Sequence, residues 1–239
     1  MGLAAHSGSR APVCRSDRAR GLGVTTAGAP RLGSHGGELD AATQTVAALY
    51  VDPTGVYANL PGVEVWDETR DARQYRGPYP VVAHPPCAPW CRLAGFVEAR
   101  FGHKRGDDGG CFAAALDAVR TYGGVLEHPA DSRAFHHFGL PIPSRHGGWT
   151  SSLWDKGWSC YVEQGRYGHV VRKATWLYAC GVGLPALEWG RVNDQDAWGD
   201  LTWARSPSLG RARVGTAALA TPEAFRDVLV SVARAARRG

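Results

Sequence analysis

The run Val46-Ala47-Ala48-Leu49-Tyr50-Val51 is apolar without alternation and stops at Asp52-Pro53-Thr54-Gly55. That pattern predicts a strand covered on both faces, followed by a turn. Val63-Glu64-Val65-Trp66, closed by Asp67, predicts a second strand, and Pro80-Val81-Val82-Ala83-His84, closed by Pro85-Pro86, a third. Residues 88–107 are broken by Gly, Pro and Arg and are read as a loop. Residues 108–122 have helical character, with Asp107 or Asp108 near the N-cap and Gly123-Gly124 as the stop. Val125-Leu126 predicts a fourth strand, closed by Glu127-His128-Pro129. A short helix at 132–138 and strands at 158–163 and 173–179 follow. A Gly-, Pro- and Trp-rich loop lies before the first of these strands. After a loop-like stretch at 181–215, a last helix is expected over 222–237, with Thr221 as N-cap and Pro222 at N1. Strands alternating with helices predict an α/β layer fold with a mostly parallel sheet and flanking helices.

Residues 1–40 hold eight Gly and no periodic apolar pattern, so they read as a disordered leader. The expected division is therefore a leader at 1–40 and an α/β domain at 41–180. Residues 181–239 then form a short recognition-like loop region and a helix packing back on the domain. A hydrophobic fraction of 44% excludes full disorder, and no stretch reaches the roughly 20 apolar residues of a membrane helix. The N-terminal residues lack the apolar core of a secretory signal. Six cysteines without a repeating spacing do not predict a disulfide framework, which favours a reducing, cytoplasmic setting. A net charge of +5 permits a nucleic-acid partner. Seven arginines from Arg205 onward face only Glu223 and Asp227, so the excess belongs to the C-terminal segment.

Three short motifs bear chemistry. In His84-Pro85-Pro86-Cys87-Ala88-Pro89-Trp90-Cys91, two prolines hold the chain extended directly after a buried strand. Cys87 is thereby presented at the sheet edge where open α/β folds bind ligands. It reads as a nucleophilic thiol or as a half-buried structural cysteine. Glu127 at the end of the fourth strand would bring a carboxylate to the same edge, or else be a surface acid. Gln164-Gly165-Arg166, with Arg172 and Lys173 entering the next strand, could clamp a base edge or phosphates, or form a solvated turn. His84, Cys87, Cys91, His136 and His137 supply soft ligands, but without paired Cys-x2-Cys units no metal is expected.

Taken in order and spacing, these motifs resemble the cytosine-C5 DNA methyltransferase family, especially its short phage-type members. Pro86-Cys87 matches the family's Pro-Cys nucleophile motif and Glu127 its Glu-Asn-Val acid, with His128 in place of Asn. Gln164 and Arg166 match its Gln-x-Arg-x-Arg motif, with Gly168 at the second Arg. The resemblance covers about residues 46–180. It implies a Rossmann-like, class I methyltransferase-like fold, DNA as partner, and a cytosine rotated out of the duplex. Cys87 would add to C6, Glu127 would act on N3, and Arg166 would hold O2. Pro86, Gln164, Arg172 and Lys173 would position the base. Attack requires thiolate, for which Arg92 and His84 are the nearest cations in sequence. A monomer in the cytoplasm is expected, of a bacterial host if the chain is phage-encoded.

The family's Phe-x-Gly-x-Gly cofactor loop corresponds here to Val51-Asp52-Pro53-Thr54-Gly55-Val56-Tyr57, with a single glycine. S-adenosylmethionine is the implied donor, held by Asp52, Gly55 and the strand-end acid Asp67, which could equally be a turn residue. A folate-borne one-carbon unit, giving hydroxymethylation, is the alternative donor, and a free nucleotide the alternative substrate. The family's C-terminal Gly-Asn-Ser-Val motif has no counterpart in residues 209–220. The recognition region is reduced to about 35 residues interleaving Trp and Arg, so low sequence discrimination follows. A non-catalytic nucleic-acid-binding relative is the rival reading.

Overall fold

A computed structural model of the chain describes residues 44–92, 94–102, 104–191 and 220–237. The leader read from residues 1–40 and the part of the recognition-like stretch at 192–219 lie outside the described residues. Seven strands form one sheet: β1 Val46–Leu49, β2 Val63–Trp66, β3 Val81–Ala83, β4 Gly124–Pro129, β5 Trp149–Ser151, β6 Trp158–Glu163 and β7 Ala174–Cys180. Among the described residues, four α-helices accompany them: α1 Ala94–Phe101, α2 Cys111–Tyr122, α3 Arg133–His137 and α4 Glu223–Arg234.

The strand order is β2-β1-β3-β4-β7-β6-β5. The pairings β1–β2, β1–β3 and β3–β4 are parallel, whereas β4–β7, β6–β7 and β5–β6 are antiparallel. The sheet is thus mixed rather than mostly parallel. β7 enters between β4 and β6 against the direction of both, which a local apolar pattern does not encode.

Alternate residues of the parallel strands feed two apolar layers. Ala47, Leu49, Val81, Ala83 and Leu126 pack with Phe112, Ala115, Leu116 and Val119 of α2 and with Phe135 of α3. Val46, Ala48, Val82 and Val125 face the opposite way, onto Phe225, Leu229, Val230 and Val232 of α4. Both faces being covered explains why these strands read as continuous apolar runs.

Several boundaries differ from those expected. β4 runs on through Glu127, His128 and Pro129, because these residues pair with Leu177, Trp176 and Thr175 of β7. α1 forms inside the stretch read as a loop, since the punctuating Pro and Gly lie at its start and the following residues, Phe-Val-Glu-Ala-Arg-Phe, contain neither. β5, a three-residue edge strand, was hidden by its Gly-rich approach. α2 starts three residues later than expected, yet Asp108 still caps it: its carboxylate accepts from the Gly110 and Phe112 amides at 3.0 and 2.8 Å. α4 takes Pro222 as its N-cap instead of Thr221, with no side-chain cap. At Gly124 the close approach of β4 to β3 leaves no room for a side chain, because a Cβ there would stand 2.0 Å from the Val81 carbonyl oxygen.

Candidate functional site

The chain leaves β1 toward β2 on one side and returns to β3 on the other, so the strand order reverses between β1 and β3. A crevice outside the carboxyl ends of strands at such a reversal is where open α/β sheets bind ligands. A cavity of about 930 Å³ occupies this place. Its walls come from the loop after β1 (Tyr50, Asp52, Gly55, Tyr57), the loop after β3 (His84 to Cys87), the end of β4 (Glu127, Pro129) and the entry to β7 (Arg172, Lys173). Cys91, Arg92, Arg145 and Arg191 complete its rim.

Pro85-Pro86 carries the chain from β3 into a tight turn in which the Cys87 carbonyl accepts from the amides of Trp90 and Cys91 at 3.0 and 2.9 Å. Cys87 is half-buried. Burial pushes its thiol above the ordinary range, and the charge of Glu127 and the Cys91 thiol push it further. Lys173 opposes this shift. Lys173 is thus a cation that favours the thiolate, and the sequence neighbours His84 and Arg92 line the same cavity.

His84 follows β3 directly, its amide bonded to the Leu49 carbonyl at 3.0 Å. Both ring nitrogens are engaged: Nε2 lies 2.8 Å from Tyr57 Oη and Nδ1 lies 3.0 Å from Glu127 Oε2. Glu127 is buried, and its other oxygen accepts from Gln164 Nε2 at 3.0 Å. The same Gln164 amide donates to Thr175 Oγ1 at 3.0 Å. Burial pushes the Glu127 carboxyl up, but the bond to His84 and the charges of His84 and Lys173 outweigh it and hold it down at about 2. Glu127 is thus a carboxylate with donors on both oxygens.

Lys173 adopts φ 38°, a left-handed backbone uncommon for a long side chain. Its Nζ donates to the Ala220 carbonyl at 2.8 Å. Burial lowers its pKa, while Glu127 and Cys87 raise it. On the strand beside Glu127, His128 is fully buried and packs edge-on to Phe112 at 5.2 Å between ring centroids. Burial draws its pKa down to about 4.

The structure separates the expected site residues into two groups. Pro86, Cys87, Glu127, Arg172, Lys173, Asp52 and Gly55 meet at the cavity. Asp52 is exposed and folds back on its own loop, accepting from the Thr54 amide and hydroxyl, both at 2.7 Å. Those bonds draw its carboxyl below the ordinary range. Gln164 reaches the site indirectly, through Glu127. Like Gln164, Arg166 and Asp67 do not line the cavity. Arg166 donates to the carbonyls of Gly190 and Arg191 at 3.1 and 2.8 Å, bracing that segment. Asp67 accepts from the Arg70 amide at 2.9 Å, the turn-residue alternative left open above.

Tyr57 is the member the sequence did not single out. Its place six residues after the β1 apolar run carries no chemical signature, and only folding brings it to His84. No three His, Cys, Asp or Glu side chains converge among the described residues so as to hold a metal ion. No helix among them is long and apolar enough to cross a membrane. Compared with known protein families and with curated proteins, the sequence matches none.

Proposed function

We propose that the protein modifies cytosine at C5 in DNA through a covalent adduct between Cys87 and C6 of the base. The observation that carries this reading is the meeting of Cys87, Glu127 and Lys173 at one cavity, at the carboxyl edge of the sheet. The strand order also supports a Rossmann-like, methyltransferase-like architecture, with β7 running antiparallel between β4 and β6.

In this reading Cys87 gives up its proton to solvent, helped by the charge of Lys173, and the sulfur adds to C6. Negative charge grows on the ring as C5 becomes nucleophilic, and a proton delivered at N3 on the Glu127 side offsets it. The nucleophilic C5 is the atom to which a bound donor would supply an electrophilic carbon; C5 then gives up its proton to solvent and the thiolate leaves C6. Arg172 and Lys173 are the cations placed to hold the polar edge of the base or its phosphate. A cavity of about 930 Å³ is large enough for a ligand of nucleoside size. Asp52 and Gly55 would hold the donor, S-adenosylmethionine by resemblance, which supplies an electrophilic methyl group when bound. A folate-borne one-carbon unit is the alternative.

A second reading, a non-catalytic nucleic-acid binder on the same scaffold, is favoured by the position of Arg166 away from the cavity. The deciding experiment incubates the protein with DNA containing 5-fluorocytosine, with each donor in a separate arm. Fluorine at C5 cannot leave as a proton does, so the adduct persists. A covalent protein–DNA complex that disappears in Cys87→Ala is expected. Its absence with every donor overturns the enzymatic reading.

A further inference from the structure

Tyr57, His84 and Glu127 stand in one hydrogen-bonded line along the cavity wall, with contacts of 2.8 and 3.0 Å. Resting on the pyrimidine reading, we infer that His84 is the proton store for the ring nitrogen, with Glu127 as the conduit and Tyr57 as the group that keeps Nε2 protonated. A carboxylate that already accepts from Gln164 and His84 has no proton of its own to give. With Glu127 ionised at neutral pH, the proton for the base has to come from the other end of the His84 bond.

The transfer balances as follows in the protonated pair. His84 carries a proton on each nitrogen, Nε2–H donating to Tyr57 Oη and Nδ1–H to Glu127 Oε2. As the Cys87 sulfur bonds C6, the Nδ1 proton moves to Glu127 and a carboxyl proton passes to the ring nitrogen, leaving neutral His84 and a carboxylate. When the sulfur departs, the ring returns the proton by the same route. Tyr57 remains a phenol throughout, because burial and the charge of Glu127 raise its pKa well above the ordinary value. No outside acid is consumed, so the site is reset after each turnover.

Other charges bear on this line from each side. Cys87 faces it from the loop after β3, His128 from β4, and Lys173 from the entry to β7. Arg226 and Asp227 of α4 act on Tyr57, with Arg226 Nη1 also bonded to the Val56 carbonyl at 2.8 Å. Gln164 and Thr175 hold the far oxygen of Glu127 with neutral donors.

The test uses the full chain and DNA tritiated at cytosine C5. Once Cys87 has added to C6, C5 can take up a proton from solvent and give up its triton to water without any donor, so the release rate reports addition followed by that exchange. His84→Gln is expected to slow release about 100-fold, the low end for a lost acid–base group. It should also change the dependence of the rate on pH, because one of the two acid–base groups in the line is gone. Tyr57→Phe, which leaves the ring in place, should slow release less and change the shape of the same profile. Nitrogen-15 spectra of the histidine rings supply a readout free of turnover: a proton on His84 Nδ1 that is lost or displaced in Glu127→Gln. Release from His84→Gln within threefold of wild type with the same pH profile overturns the relay and leaves the pyrimidine reading intact. A His84 Nδ1 without a proton, acting only as acceptor, also overturns the relay. Failure of the wild type to release tritium, together with no adduct in the 5-fluorocytosine experiment, overturns the pyrimidine reading itself.

Discussion

His84 Nδ1 and Glu127 Oε2, 3.0 Å apart, tie the carboxyl ends of β3 and β4 together by a single polar contact. Neighbouring strands need no such link for their backbone pairing, and it withdraws from water one buried carboxylate and one half-buried imidazole. The gain is a carboxylate and an imidazole fixed at the wall of a cavity beside a thiol.

The surroundings of Glu127 and of its strand neighbour His128 make stability depend on acidity in a defined way. The Glu127 carboxyl is held at about 2 in the folded state, against 4.5 ordinarily. A depressed carboxyl contributes stability that is present above the unfolded value and is lost as pH falls from about 4.5 toward 2. His128 is held at about 4 against 6.5. Its unfolded form binds a proton first, so stability also falls between about 6.5 and 4 and no further below that. Denaturant midpoints measured at pH 7.5 and 5 should therefore differ in the wild type. His128→Asn should show a smaller difference, reduced by an amount on the order of 2 kcal/mol.

Lys173 governs the reactivity of Cys87. Lys173→Met removes the charge that favours the thiolate while burial and Glu127 still oppose it. Alkylation of Cys87 by iodoacetamide, followed by peptide mass spectrometry, should slow at neutral pH, because a smaller share of the thiol is ionised. Lys173→Arg should retain part of the rate. An unchanged rate in the methionine variant would remove Lys173 from this role.

Arg166 provides the contrast. Its guanidinium serves the backbone of residues 190–191 rather than the cavity. Arg166→Ala should lower adduct formation with 5-fluorocytosine DNA by less than about tenfold, and lower thermal stability by about 1–2 kcal/mol for the lost charged hydrogen bonds. A loss as deep as that of Cys87→Ala would show that the guanidinium reaches the base during turnover.

At the opposite edge of the sheet, Asp155 binds Arg120 and accepts from Tyr178 Oη at 2.8 Å. Gly157 packs directly against this cluster, and a Cβ there would stand 2.2 Å from Tyr178 Oη. Gly157→Ala should destabilise the protein by about 1–3 kcal/mol through overpacking. The rate of adduct formation by the folded fraction should stay unchanged. Chemical denaturation and the adduct assay on the same preparation separate the two effects.

Local pattern alone determined much of the frame. The apolar runs of β1, β2 and β3, the α2 segment between its aspartates and Gly123-Gly124, and β6 were legible because each depends on near neighbours in sequence. Prolines after β3 likewise marked Cys87, and the end of the fourth apolar run marked Glu127. The tertiary structure decided what those residues meet. β7 pairs antiparallel with β4 and so prolongs it past Leu126, drawing Glu127 into a buried strand rather than leaving it at an exposed end. The same pairing brings Thr175 and Gln164 against one carboxylate oxygen while His84, from β3, takes the other. Tyr57 meets His84, Lys173 meets the Ala220 carbonyl and Arg166 meets the carbonyls of Gly190 and Arg191, all partners distant in sequence. Hydrogen bonds and charge–charge effects act over a few ångströms in space, and the spacing of residues along the chain does not state which of them will be that close.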